Sequence, residues 1–200
     1  MDTFTAIEQR RSIKHYDPDF QMPEAHIQQL MQLAAWSPTS FNIQNWRFVL
    51  VQNPDLRQQI RAASWDQAQV TEASLLVVLC GDLNAWDRQP ERYWRDAPAP
   101  QRERIVPMIQ GFYRDQPQLQ RDEVMRSCGI AAQTLMLSAK ALGYDSCPMV
   151  GFDPNAVADV IQLPEDHVIA MMLTIGKAAK PAWPRSGSLP LEAVWIRDRF

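Results

Sequence analysis

The sequence predicts one domain that combines helices with strands, and two kinds of apolar pattern predict it. An unbroken apolar run of strand length occurs at Leu75–Cys80 and a largely apolar one at 167–175, and a glycine follows each of them. Apolar residues recur at helical spacing over 122–142, and Gly143 is a natural end for that helix. A chain of 200 residues with 46% hydrophobic residues is long enough for a single well-filled core.

Shorter patterns complete the predicted order of elements. Proline and asparagine punctuate the chain, and each apolar segment between them has the length of one helix or one strand. The further elements are a helix from 24, a strand at 48–51, a helix after the Asn53-Pro54 turn, a strand at 144–149, and a helix that Asp153 caps and Pro154 begins.

The two ends of the chain are also predicted to form regular elements. Thr5 and Glu8 have the spacing of a helix capping box, and Phe4 and Ile7 would lie on the buried face of this first helix. At the other end, a proline-rich extended tail leads to 191–196, which has the pattern of a strand. A strand at the end of such a tail needs a sheet edge, either on its own subunit or on a partner.

The bulk composition excludes several classes of protein. A net charge of −3 argues against nonspecific nucleic-acid binding, which needs a basic surface. No apolar run approaches the roughly 20 residues that span a bilayer, and the polar N-terminal stretch lacks the apolar segment of a signal peptide. Three widely spaced cysteines predict reduced, mostly buried thiols and a cytoplasmic protein. The three histidines do not cluster with cysteines or acids, so no metal site is expected.

A cationic cluster lies near the N-terminus. Arg10, Arg11 and Lys14, together with the hydroxyl of Ser12, fall within a short stretch. Guanidinium groups and a short hydroxyl donor suit a phosphate group. A solvated basic helix end would show the same residues, so both interpretations stand at this point.

A polar turn between a helix and a buried strand is the second candidate site. Pro38 breaks the chain after the helix, and six hydrogen-bonding side chains lie within nine residues, namely Ser37, Thr39, Ser40, Asn42, Gln44 and Asn45. Loops that are held rigidly at both ends often bind ligands. An ordinary solvated turn is the alternative.

The stretch 83–122 is an irregular excursion of helices and loops, rich in arginine and proline. It also carries five aromatic residues, Trp86, Tyr93, Trp94, Phe112 and Tyr113. These rings could form a lid over a flat substrate, or they could anchor the excursion to the core.

Neither a nucleophile–base pair nor a glycine-rich nucleotide motif is present in the sequence. The stretches GxGxxG and GxxxxGK[ST] do not occur. Any redox or transfer chemistry must therefore come from a bound cofactor, for which the protein supplies donors and shape.

Four stretches of the chain resemble the flavin-dependent nitroreductase family. They are RRSIKHY at 10–16, AWSPTSFNIQNWRF at 35–48, Gln69 with EASL at 72–75, and ALG at 141–143 with PMVGFD at 148–153. The resemblance covers nearly the whole chain in the family's order, and the second stretch is the most specific. It implies an α+β fold over 1–200, with a central, mostly antiparallel sheet flanked by helices. It also implies an intertwined homodimer in which the C-terminal tail reaches the partner.

The resemblance further implies that FMN binds at the dimer interface. By matching positions, the N-terminal cations would hold the phosphate, the turn of the other chain would line one ring edge, and Val150 and Gly151 would offer backbone near N5. The implied FMN-binding residues are Arg10, Arg11, Ser12, Lys14, Pro38, Thr39, Ser40, Asn42, Gln69, Pro148, Val150, Gly151 and Arg185. The residues expected to contact the acceptor are Phe41, Phe112 and Tyr113.

The activity implied by the resemblance is hydride transfer from NADH or NADPH, through flavin N5, to a nitroaromatic, quinone or similar flat acceptor. No side chain needs to act as a catalytic acid. Many family members have a lysine at the flavin edge where Gln69 stands here, and a neutral amide stabilises a reduced, anionic ring less. Two other hypotheses remain: a flavin-binding sensor or store without turnover, and a structural dimer without cofactor.

Overall fold

A four-stranded antiparallel sheet lies at the centre of the structure, with the strand order β1-β2-β4-β3. The computed structural model describes residues 1–200. The strands are β1 (Trp46–Leu50), β2 (Leu75–Asp82), β3 (Asp145–Met149) and β4 (His167–Gly176). The expectation of a central antiparallel sheet flanked by helices is confirmed.

Eight helices surround the sheet, and none of them is both long enough and apolar enough to cross a membrane. They are α1 (Thr3–Gln9), α2 (Glu24–Ala35), α3 (Pro54–Ala62), α4 (Gln69–Glu72), α5 (Ala99–Tyr113), α6 (Pro117–Ala141), α7 (Pro154–Val160) and α8 (Leu191–Val194). Short 3₁₀ turns occur at Ser40–Asn42 and Pro90–Trp94.

Strand β2 is buried on both faces, which explains its unbroken apolar sequence. Because side chains alternate along a strand, Leu75 and Val77 pack on the side of α2 and α6. Leu76 and Val78 point the other way and pack with Ile60 of α3 and with α7. Helices therefore cover the sheet on both sides, and the segments that leave its ends are held in place.

Helix α6 approaches the sheet closely because small residues line its inner face. Cys128, Ala131 and Ala132 are fully buried there. The thiol of Cys128 donates to the carbonyl of Cys80, 3.5 Å away. The helix begins at Pro117, earlier than the predicted start near 122, because proline is favoured at the first helical position.

The first helix differs from the prediction. Its N-cap is Asp2, whose carboxylate accepts the backbone N–H of Thr5 at 3.0 Å, so the predicted capping box of Thr5 with Glu8 is wrong. Helix α1 lies against α6 and buries only Ala6. Phe4 is 78% exposed and Ile7 is 49% exposed, so the predicted buried face is not covered by this chain.

The C-terminal tail also differs from the prediction. The stretch 191–196 was expected to be a strand, but it contains the four-residue helix α8, and its residues are exposed. No sheet edge of the same chain pairs with it, and an unpaired strand is not stable alone.

A glycine in β2 is required by the close approach of α6. A Cβ atom on Gly81 would lie 2.1 Å from Cγ1 of Val124. We therefore expect Gly81→Ala to lower the free energy of unfolding by about 1–3 kcal/mol, the cost of overpacking a core. Adding Val124→Ala should recover part of this loss, because it removes the clashing methyl groups.

The matched control is Gly111→Ala in α5, where nothing lies within 4 Å of the added carbon. Helix propensity predicts that this control is neutral or gains up to about 1 kcal/mol. Urea unfolding at a fixed protein concentration measures all of these variants. A Gly81→Ala protein that unfolds at the wild-type urea concentration would contradict the packing described here.

Candidate functional site

A cationic cavity of about 300 Å³ lies where the N-terminal segment meets the tail. The residues that line it are Arg10, Arg11, Ser12, Lys14, Trp183, Pro184, Arg185, Ser186, Gly187 and Ser188. The structure thus brings together the four cations among the implied FMN-binding residues, although Arg185 is far from the others in the chain. No acidic residue lines the cavity.

Backbone pairing with the sheet holds the N-terminal half of this cavity. The N–H of Ile13 donates to the carbonyl of Ser146 in β3 at 3.0 Å, and Ser12 forms a parallel bridge to the same residue. Tyr16 is 2% exposed, and its hydroxyl donates to the carbonyl of Thr174 in β4 at 3.2 Å. Burial raises the pKa of the Tyr16 hydroxyl, so it stays protonated as a donor.

The tail closes the other side of the cavity. A guanidinium nitrogen of Arg11 donates to the carbonyl of Trp183, and one of Arg185 donates to the carbonyl of Glu8 at 2.8 Å. Each guanidinium keeps further N–H groups after these bonds, since arginine has five donors. Arg185 thus lines the same cavity as Arg10 and Lys14.

Cys147 of β3 lies directly behind the cations. Burial raises the pKa of its thiol, while the charges of Lys14 and Arg10 act in the opposite direction. The thiol is 1% exposed and therefore contributes packing. The influence of Lys14 and Arg10 on this thiol shows that β3 lies close to both cations.

The segment that follows β3 carries the next predicted residues, Pro148, Val150 and Gly151. Pro148 is half-buried within β3, and Val150 is 75% exposed. The carbonyl of Gly151 accepts a hydrogen bond from Nε2 of Gln67 at 2.8 Å. The backbone expected near N5 is therefore held by a side chain from the loop before α4.

Gln67 was missed by the sequence analysis, which selected Gln69 instead. Gln69 is 3% exposed, and its Nε2 donates to Oε1 of Gln67 at 2.9 Å. Gln69 therefore supports the contact between Gln67 and Gly151, and its place at the flavin edge stays a prediction. The signal that could have found Gln67 is its position in the same short polar bridge between two apolar elements.

The turn at 38–42 has unusual backbone conformations. Phe41, Asn42 and Gln44 have φ values of 50°, 56° and 42°, which residues other than glycine seldom adopt. Such strain persists only where surrounding groups hold the backbone in place, and it is frequent at functional sites.

Four contacts hold this turn. The carboxylate of Glu123 in α6 accepts the N–H of Ser40 at 3.3 Å, and Thr39 Oγ1 accepts the N–H of Gln44 at 3.0 Å. Two contacts come from the excursion: Asn42 Nδ2 donates to the carbonyl of Tyr93, and Trp94 Nε1 donates to that of Phe41, both at 2.9 Å. Arg126 in turn holds Glu123, with its Nη2 3.0 Å from the carboxylate.

The turn and the cationic cavity are separate within one chain. Neither Pro38, Thr39, Ser40 nor Asn42 lines the cavity, and no hydrogen bond or salt bridge joins this turn to residues 10–14. The turn is bound to α6 and to the excursion, whereas the cations are bound to β3, β4 and the tail.

The predicted acceptor-binding aromatics do lie together. The rings of Phe41 and Phe112 are 5.5 Å apart, and the ring of Tyr113 is 5.0 Å from that of Phe112. Phe112 is 50% exposed, but Tyr113 is only 1% exposed, and burial raises the pKa of its hydroxyl. Tyr113 packs with Ile43 and anchors the excursion, and its contact with the acceptor stays a prediction.

Outside these two regions, Asp82, Asp166 and His167 place possible metal-ligand atoms within 4.8 Å of one another. Guanidinium groups already balance these carboxylates, because Arg47 lies 3.0 Å from Asp82, and Arg88 pairs with both acids. The hydrogen bond from His167 and the pairing with Arg88 lower the pKa of Asp166. This group is a salt-bridge network that joins β2 to the start of β4.

Comparison with known proteins places this geometry in a family. The profile described as "Nitroreductase family" matches residues 7–177. Protein DrgA of Synechocystis is 53% identical over 91% of this chain and 87% of its own length. YodC of Bacillus subtilis, whose name places it among NAD(P)H nitroreductases, is 30% identical over 98% of this chain and 99% of its own.

A solved structure agrees with these sequence relatives. A nitroreductase-type protein of Exiguobacterium sibiricum, crystallised in complex with FMN, superimposes with a TM-score of 0.91 at 30% identity. The match covers 98% of this chain and 97% of that one. This chain therefore belongs to the nitroreductase family.

Proposed function

We propose that this protein is an FMN-dependent oxidoreductase that uses NAD(P)H to reduce a flat acceptor such as a nitroaromatic or a quinone. The observation that supports the proposal most strongly is the cavity in which Arg10, Lys14 and Arg185 converge around Ser12. Family membership and the FMN complex of the Exiguobacterium sibiricum relative point to the same cofactor.

The donor set of the cavity fits the phosphate end of FMN. A phosphate monoester carries close to two negative charges and three acceptor oxygens. Guanidinium groups form paired, charge-assisted hydrogen bonds with such oxygens, and the Lys14 ammonium adds a point charge. No carboxylate lines the cavity, so no anionic side chain of the lining competes with a phosphate for these donors.

Other residues would hold the ring. The bond from Gln67 fixes the carbonyl of Gly151, and this orients the peptide group between Gly151 and Phe152, next to the backbone expected near N5. The rigid turn with Ser40 and Asn42 presents hydroxyl and amide groups for a ring edge. When bound, FMN would supply hydride transfer at N5, and no side chain of the set is placed as a catalytic acid.

We further propose that the working unit is an intertwined homodimer. The turn and the cations lie apart in one chain, so a second copy is needed to bring them to the same cofactor. Large apolar side chains also stay uncovered at both ends of the chain, including Phe4 on α1 and Trp183, Leu189 and Trp195 on the tail, each more than half exposed. Contact with a second subunit would bury them.

We also propose that the protein works in the cytoplasm. All three cysteines are free thiols, and all are buried. Burial raises the pKa of Cys80 and of Cys128 to about 12, so these thiols stay protonated and react slowly. Free cysteines are typical of a reducing compartment.

Rapid mixing without oxygen tests the proposed activity. The purified protein should show the visible absorption of a flavin, NADH or NADPH should bleach it, and an added quinone or nitroaromatic should restore it. A bound flavin that neither nucleotide bleaches would favour a flavin-binding sensor or store without turnover. The residue that supports this alternative is Gln69, because a neutral amide at the flavin edge stabilises the reduced ring less than a lysine does. Protein that stays colourless after FMN is added would leave only the structural dimer.

The first prediction concerns the phosphate. Arg10→Ala should weaken FMN binding by about 1.5–3 kcal/mol, the scale of a lost charge-assisted hydrogen bond. Fluorescence titration of apoprotein with FMN measures the change. The control is Arg104→Ala, because Arg104 is exposed in α5 and makes no salt bridge. An unchanged FMN affinity in Arg10→Ala would show that the phosphate binds elsewhere.

The second prediction concerns the turn. Glu123→Ala removes the acceptor of the Ser40 N–H and should raise the Kd for FMN about tenfold, on the order of 1.4 kcal/mol. Glu123→Gln keeps an acceptor oxygen for the Ser40 N–H and should therefore raise the Kd for FMN less. This variant also loses the ion pair with Arg126, but that pair contributes little because Arg126 is half-exposed. The exposed Glu103→Ala is the control. A folded Glu123→Ala protein with wild-type FMN affinity would separate the turn from the cofactor site.

A further inference from the structure

A second polar cavity, of about 580 Å³, lies on the outer side of the turn. The eight residues that line it are Asn42, Gln44, Trp46, Arg47, Arg92, Tyr93, Arg95 and Asp96. It joins the turn to the 3₁₀ segment Pro90–Trp94 of the excursion, and it shares no residue with the cationic cavity at the N-terminus.

The charges in this cavity are unevenly balanced. Arg47 is already paired, because it binds Asp82 at 3.0 Å and donates to the carbonyls of Gln44 and Trp46. Arg92 is exposed and has no carboxylate partner. Arg95 faces only its sequence neighbour Asp96, at 3.5 Å, in a pair with side chains 80% and 92% exposed. Solvent weakens such a pair, so two guanidinium groups remain available to a ligand.

Contacts with Tyr93 fix the position of Arg92. Its Nη2 donates to the hydroxyl of Tyr93 at 2.6 Å, and its guanidinium carbon lies 4.7 Å from the centre of the Tyr93 ring. The Tyr93 hydroxyl in turn donates to the carbonyl of Ala85 at 3.1 Å. Because Asn42 binds the carbonyl of the same tyrosine, the position of Arg92 is fixed relative to the turn.

We propose that Arg92 and Arg95 bind the 2′-phosphate of NADPH, and that NADPH is the preferred reductant of this protein. The proposal rests on the proposed function, because it places the nicotinamide over the flavin ring, one edge of which Asn42 would line. A dinucleotide that reacts at the ring has to extend its adenosine half out of the site, and this cavity begins at Asn42, on the outer side of the turn. NADPH differs from NADH only by the 2′-phosphate, a near-dianion that matches two free guanidinium groups.

The test compares the two nucleotides in the reductive half-reaction of the FMN-loaded protein. Anaerobic rapid mixing gives the Kd for NADPH and for NADH from the rate of flavin bleaching, with no acceptor present. The wild-type protein should bind NADPH more tightly than NADH. Arg92→Ala/Arg95→Ala should raise the Kd for NADPH by about tenfold or more and leave that for NADH within about twofold. Arg104→Ala, on the same excursion, should change neither.

A non-reacting probe removes the contribution of the chemistry. Adenosine 2′,5′-bisphosphate should inhibit bleaching of the wild-type protein more strongly than adenosine 5′-monophosphate, and the double variant should lose this difference. The proposed phosphate site would be wrong if the wild-type protein bound NADPH and NADH with equal affinity. It would also be wrong if the double variant changed the Kd for both nucleotides equally. Neither result would contradict the proposed flavin activity. A wild-type protein that takes up no FMN would overturn the activity and this inference together.

Discussion

Pairing between the N-terminal segment and strand β3 is the contact on which the candidate site depends. The bond from Ile13 to Ser146 and the buried hydroxyl of Tyr16 fix the backbone between them, so Lys14 cannot move independently of the sheet. A flexible basic end would bind a phosphate only after its side chains and backbone were ordered, and that ordering has an entropic cost. Here the sheet has already ordered the backbone, and the tail adds Arg185 from the opposite side.

The residues of the proposed FMN site form two rigid halves within the chain. One half consists of the cations, β3 and the Gln67–Gly151 contact, and the other consists of the turn, α6 and the excursion. Each half is stabilised by its own contacts, and no hydrogen bond or salt bridge joins the turn to residues 10–14 within the chain. The two-fold dimer that we propose would supply the missing half twice, because each subunit would then give its turn to the other.

The sequence predicted those features that depend on local patterns. The buried runs gave β2 and β4, the helical spacing gave most of α6, and the caps at Asn53 and Asp153 are present. The resemblance supplied Arg185, which no local pattern links to Arg10. Patterns failed where the deciding contact is non-local: an apolar stripe at Phe4 and Ile7 indicates a face that needs cover, but it does not reveal which chain provides that cover.

The residues of the candidate site also divide into those that local patterns predict and those that only non-local contacts reveal. Gln69 and Gln67 stand two residues apart with identical chemistry, and only the fold shows that Gln67 holds Gly151. Likewise, Phe112 and Tyr113 are adjacent aromatics, yet one faces solvent and the other packs beneath the turn. Composition identifies candidate groups, whereas the direction of each side chain depends on the elements packed around it.

The most direct test of the account is the FMN content of mixed dimers. One subunit carries Arg10→Ala, and the other carries Thr39→Ala, Ser40→Ala and Asn42→Ala, with different affinity tags to isolate the mixed species. Each parent homodimer should bind little FMN, but the mixed dimer has one site with both halves intact, so it should hold about half the FMN of the wild-type dimer. A mixed dimer that binds no more FMN than the mean of its parents would show that each chain builds its site alone.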